Sequence, residues 1–82
     1  MINIRARRVQ RIKELVLEVT KQDKKVCREK LLNNLCYEWA MARRTVNEYI
    51  NLLISTGFIT QYRDEIEGEV LIYNMSRNVD EF

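Results

Sequence analysis

The stretch Arg43 to Ile59, RRTVNEYINLLISTGFI, gathers side chains able to make specific hydrogen bonds at helical spacing. With about 100° between successive residues, Val46, Tyr49, Ile50, Leu53 and Ile54 share one face. Arg44, Asn47, Glu48, Asn51 and Ser55 form an unbroken polar row opposite, with Arg43 and Thr45 beside it. Such a row suits recognition of flat polar edges. Arginine presents two donors to O6 and N7 of guanine, asparagine can pair with N6 and N7 of adenine, and glutamate can accept from N4 of cytosine. A second polar group, Lys24, Lys25, Arg28 and Lys30, lies at the front of an earlier helical stretch. Cations at a helix start oppose the macrodipole, so local helix stability does not account for them. Phosphate contact is one explanation and solubility is the other.

Other chemistries lack their residues. There is no histidine, which excludes the usual Cys/His zinc patterns. There is no glycine-rich phosphate loop, and no serine or cysteine stands beside an evident base. No enzymatic activity, metal or cofactor is therefore expected. Cys27 and Cys36 are too few for a disulfide framework. If both lay on one helix, their separation of roughly 13 Å would exceed the ~7 Å limit for a bridge. They read as buried reduced thiols, the alternative being a redox-responsive Cys27 beside Lys25 and Arg28.

The elements that must position the polar row follow from periodicity. Val9, Ile12, Leu15, Val16 and Val19 predict a helix over about residues 4–19, with Arg7, Arg11, Glu14 and Glu18 outward. Leu17 falls off the stripe, as an isolated exposed residue or an oligomer contact. TKQDKK, residues 20–25, reads as a loop, and Val26 as a short strand. Leu31, Leu32, Leu35 and Cys36 predict a second helix over about residues 28–37. The linker CYEWAMA has no glycine and reads as longer than a tight turn, with Tyr37 and Trp39 as core or edge packing. The third helix is expected over about residues 43–56. It starts either at Thr45, through the capping box TVNE, or near Ala42, with both arginines in its first turn. Gly57 suits the left-handed position after a helix, with Phe58 folding back on Leu53. The period then changes to two. Phe58 to Arg63 and Val70 to Tyr73 form a hairpin over about residues 58–73, around the acidic turn DEIEG. Residues 74–82 read as a frayed acidic tail.

The 82 residues suit one domain with a single small core. There is no proline, repeat or linker that would divide them. Net charge is only +2, but it is unevenly placed. Met1 to Glu48 holds twelve Lys/Arg against six Asp/Glu, and Tyr49 to Phe82 two against six. A basic face that meets a polyanion and an acidic end that avoids it are implied. No apolar run approaches the roughly 18 residues that span a membrane, and MINIRARRVQ lacks a signal peptide's apolar core. A cytoplasmic protein with no membrane partner is expected, nucleoid-associated if the source is prokaryotic or viral.

Three helices followed by a hairpin, the third running into the first long strand through Gly-Phe-Ile, resemble the winged helix-turn-helix family. The resemblance rests on VCREKLLNNL, ARRTVNEYINLLISTGFI and ITQYRDEIEGEVLIY, and covers roughly Ile4 to Tyr73. It implies a mainly α fold with a small β-hairpin (α+β). It also implies that the third helix enters the major groove of double-stranded DNA while the wing lies along the backbone or minor groove. Carried over, Arg43, Arg44, Thr45, Asn47, Glu48 and Asn51 would face bases. Lys24, Lys25, Arg28 and Lys30 would contact phosphates, about four to six contacts in all. Asp64, Glu65, Glu67 and Glu69 around Arg63 would be repelled by phosphates, so only Gln61, Tyr62 and Arg63 at the wing's base are expected to touch them. The expected role is a small transcriptional regulator, acting as a homodimer on a pseudo-palindrome. Helix 1 with Leu17, or the C-terminal tail, would form the dimer contact. The alternative is a winged helix that binds protein rather than DNA in a larger assembly.

Overall fold

Asn3 starts the first helix, α1 (Ile4–Lys21), by accepting a hydrogen bond from the backbone N–H of Ala6 at 3.2 Å. The computed structural model describes residues 3–80. α1 runs two residues beyond the 4–19 expected and ends on Lys21, a cation at the favourable end of the dipole. Val9, Ile12 and Val16 are buried as the spacing predicts. Leu17 is half-buried against the same core, so it is not an isolated exposed residue. Thr20 locks the end of α1. Its hydroxyl donates to the Val16 carbonyl at 2.8 Å and accepts the Tyr73 N–H at 2.9 Å.

After a loop comes the short strand β1 (Val26–Cys27), then α2 (Arg28–Trp39). α2 extends past Tyr37, which leaves Ala40 to Ala42 as the whole turn before α3 (Arg43–Ser55). The linker is therefore tight, contrary to the expectation. Ala40 takes the left-handed conformation usually given to glycine, at φ 51° and ψ 44°. The Met41 N–H then reaches back to the Cys36 carbonyl at 3.1 Å, satisfying an end-of-helix acceptor. Trp39 packs at the core's edge, whereas Tyr37 is 92% exposed, because helical spacing puts it on the face of α2 away from Leu35.

So short a turn decides where α3 begins. The Ala42 carbonyl accepts from the N–H groups of Thr45 and Val46 at 3.1 and 3.3 Å, and Ala42 is an extended cap with no side-chain bond. Both arginines thus lie in the first turn, and no capping box forms at Thr45. Val46, Tyr49, Ile50 and Leu53 are buried. At the exit Gly57 has φ 86°, and the Phe58 N–H bonds the Leu53 carbonyl at 3.0 Å. This turns the chain into β2 (Ile59–Asp64), and Phe58 and Ile59 enter the core.

β2 pairs antiparallel with β3 (Gly68–Tyr73), from Ile59 opposite Tyr73 to Asp64 opposite Gly68. β1 adds to the other side of β3, with Val26 opposite Leu71, giving the order β1-β3-β2. Three helices and a three-stranded antiparallel sheet make an α+β fold with the layout of a winged helix-turn-helix. The core lies between the apolar faces of α1, α2 and α3 and the sheet residues Ile59, Leu71 and Tyr73. Among the described residues no helix is long and apolar enough to cross a membrane.

The tail departs from the frayed segment expected, as far as residue 80. Val79 packs against the core, and its carbonyl accepts from Gln10 Nε2 of α1 at 3.0 Å. Arg77 donates to the Thr56 carbonyl at 2.7 Å and stands over the Phe58 ring at 4.2 Å. An apolar residue and a cation–π contact anchor what composition alone describes as polar. Residues 81 and 82 lie outside the described residues.

Candidate nucleic-acid interface

The polar row of α3 is not bare. Arg28, the first residue of α2, reaches into the cleft between α3 and the wing and donates to three side-chain oxygens. Its Nη2 bonds Oδ1 of Asn47 at 2.6 Å and Oδ1 of Asn51 at 2.8 Å, and its Nη1 bonds Oε1 of Gln61 on β2. Asn47 and Asn51 meet one guanidinium because residues four apart stack on a helix. Gln61 arrives because it stands in the β2 stretch nearest the start of α2. The chain of bonds continues into the wing, where Gln61 Nε2 donates to Glu69 at 3.3 Å and Arg63 donates to Glu69 at 3.3 Å. Partial burial lowers the Arg28 pKa from its ordinary value, against the opposing pull of Glu69 and Glu29.

The remaining candidates separate into groups. Arg43 points to α2, where it bonds Asn33 and pairs with Glu29 at 2.7 Å. It belongs to the edge of the site rather than to the row. Arg44 and Glu48 face each other one turn apart at 3.6 Å, both well exposed. Thr45 is half-buried. Lys24 and Lys30 are exposed and form no ion pair among the described residues. Lys25 bonds Asp64, at the end of β2. That bond raises the Lys25 pKa against some desolvation and, together with the N–H groups of Glu67 and Ile66, holds the Asp64 carboxyl down at about 2. Tyr62 is exposed and lines a shallow concavity with Lys24, Lys25 and Glu67.

The acidic wing is therefore less acidic in effect than its composition. Asp64 and Glu69 each have a cation beside them, and Asp64 also closes the turn by accepting the N–H groups of Ile66 and Glu67 at 2.8 and 3.0 Å. Glu65 and Glu67 remain exposed at the tip, next to Ile66, which is 94% exposed. Ion pairs thus hold four of the basic residues expected to meet phosphate or bases, Lys25 and Arg63 at the wing and Arg43 and Arg44 on α3.

Sequence reasoning missed two features, a buried lysine and the aromatic contacts of two arginines on α1. Lys13 is fully buried, with its ammonium 4.0 Å from the Phe58 ring centre. It stands four residues after Val9 and three before Val16, so spacing alone places it in the stripe. Arg5 and Arg8 on α1 lie over Tyr49 and Trp39 at 5.9 and 5.6 Å, and together with the exposed Arg7 and Arg11 they add a basic surface on α1. Cys27 and Cys36 are half-buried free thiols, and Cys27 Sγ donates to the Glu67 carbonyl at 3.6 Å. Among the described residues no group of His, Cys, Asp and Glu could hold a metal ion. Comparison with protein-family models, with curated proteins and with solved structures finds no match.

Proposed function

We propose that the protein binds double-stranded DNA, with α3 in the major groove and the base of the wing beside it, and that it acts as a small transcriptional regulator of the winged helix-turn-helix kind. The observation that carries this reading is the Arg28 cluster, a half-buried polar assembly that ties α3, the start of α2 and β2 together. A polar row that only kept a helix hydrated would need no such bracing. Arg44, Asn47, Glu48 and Asn51 offer hydrogen bonds to base edges, and the exposed Lys24 and Lys30 are the proposed phosphate contacts. One α3 covers one half-site, so two copies on a pseudo-palindrome are proposed.

A second reading, a winged helix that binds protein, is favoured by the four ion pairs Lys25–Asp64, Arg43–Glu29, Arg44–Glu48 and Arg63–Glu69, which neutralise much of the face from within. Duplex titration at several salt concentrations separates the two. The DNA reading expects Asn51→Ala to weaken a preferred site by about 1–3 kcal/mol and an arbitrary duplex much less. It expects Lys30→Ala to weaken all duplexes alike and to reduce the salt slope by about one. Absence of binding by the parent even at about 50 mM salt would transfer the assignment to a protein partner.

A further inference from the structure

Arginine has no hydrogen-bond acceptor, so any amide that meets the Arg28 guanidinium must turn its oxygen toward it. Asn47 and Asn51 both do so, and both through the same Nη2. Each amide then has its oxygen directed into the cleft, against a cation, and its NH2 group directed away from it. Each oxygen is thus occupied by a cation, so the NH2 groups are what the two asparagines best offer a base. Pairing with adenine needs the amide oxygen to accept from N6 while the nitrogen donates to N7. Guanine offers two acceptors, O6 and N7, on the same edge. Arg44 is a donor as well, and Glu48 is the only carboxylate in the row, able to accept from the cytosine N4 of the same base pair.

Arg28 is itself poorly placed to read a base or grip a phosphate. Three of its five N–H groups are used on Asn47, Asn51 and Gln61. The Nε–H and one Nη1–H are left, and these do not lie side by side, so the two-pronged donor that makes arginine a phosphate or guanine ligand is gone.

Resting on the DNA-binding reading, we propose that Arg28 is a positioning residue that fixes base specificity: by holding the Asn47 and Asn51 oxygens it makes α3 select G·C pairs through the acceptor edge of guanine. With glutamine in its place the cleft offers an acceptor as well as donors, the asparagine amides can turn, and adenine becomes an acceptable partner.

The test is selection of duplexes from a randomised pool by the full chain and by Arg28→Gln, followed by titration of the best duplex with 7-deazaguanine in place of guanine. The parent is expected to enrich G·C pairs opposite α3 and to lose about tenfold in affinity when N7 is removed. Arg28→Gln is expected to bind with a flatter G-over-A preference while melting at a similar temperature, a change of preference that a merely structural role would not produce. Enrichment of A·T pairs by the parent overturns the proposal, as does an unchanged preference in Arg28→Gln or indifference to 7-deazaguanine, and each leaves DNA binding standing. No binding of any duplex by the parent overturns the DNA reading and this inference together.

Discussion

A single carboxylate, that of Asp64, both closes the wing turn and receives Lys25 from 39 residues earlier. Its pKa of about 2 lies below the ordinary 3.8, so the folded state prefers it ionised. The resulting stability is fully present above about pH 4 and is lost as pH falls toward 2. Thermal melts between pH 5 and 2 should show the parent losing stability more steeply than Asp64→Asn, which has no such proton to take up. The Lys25 pKa is raised, so its share lasts up to the ordinary lysine range near 10.5 and disappears only above it. None of this pairing was legible in the sequence, because nothing local tells Lys25 that its partner is Asp64 rather than Glu65 or Glu67. Lys13 was legible in a weaker sense. Its spacing puts it among Val9, Ile12 and Val16, but lysine is so seldom buried that pattern and residue type disagree. The side chain resolves the conflict by packing its apolar stem and laying its ammonium over Phe58.

At the scale of elements, the helices and their buried faces were readable because apolar spacing repeats over several turns, and the exit of α3 because glycine followed by Phe58 marks it. The turn between α2 and α3 was not readable, since its left-handed residue is an alanine. That residue is strained by its Cβ, at a cost of about 1 kcal/mol. Ala40→Gly should therefore stabilise the protein by roughly 0.5–1 kcal/mol, a rise in melting temperature of about 2–8 °C for a chain this small. Glycine's freedom in the unfolded chain offsets part of the gain. The tail gives the opposite lesson. Its docking depends on Arg77 and Val79 finding Thr56, Phe58 and Gln10 far away in sequence. Arg77→Ala should cost about 1–3 kcal/mol, from a charged hydrogen bond and a cation–π contact, measurable by urea denaturation.

Across the whole molecule most of the cations assigned to DNA are already engaged, and of their ion pairs among the described residues only Lys25–Asp64 joins the basic part of the chain to the acidic one. Lys25, Arg43, Arg44 and Arg63 each meet a carboxylate and Arg28 is engaged with three amides, which leaves Lys24 and Lys30 of the assigned cations without such partners among the described residues. A duplex titration should then show log affinity falling with log salt at a slope of about −2, not the −4 to −5 that four to six phosphate contacts would produce. A slope near −5 would mean that the exposed pairs open on binding, which at about 0–1 kcal/mol each they are weak enough to do. Composition shows how many charges there are, and only the fold shows which are already answered.

The strand order β1-β3-β2 leaves β2 with a neighbour on one side only. An uncapped strand of this length is a template on which another chain can add its own strand, and the ends of β2 carry what discourages that: Arg63 and Asp64, followed by Glu65 and Glu67 in the turn. The acidic tip thus has a use independent of any ligand, as protection against stacking into fibrils. Replacing Glu65 and Glu67 with threonine should leave the monomer folded, yet shorten the time it stays clear in concentrated solution, as light scattering would record.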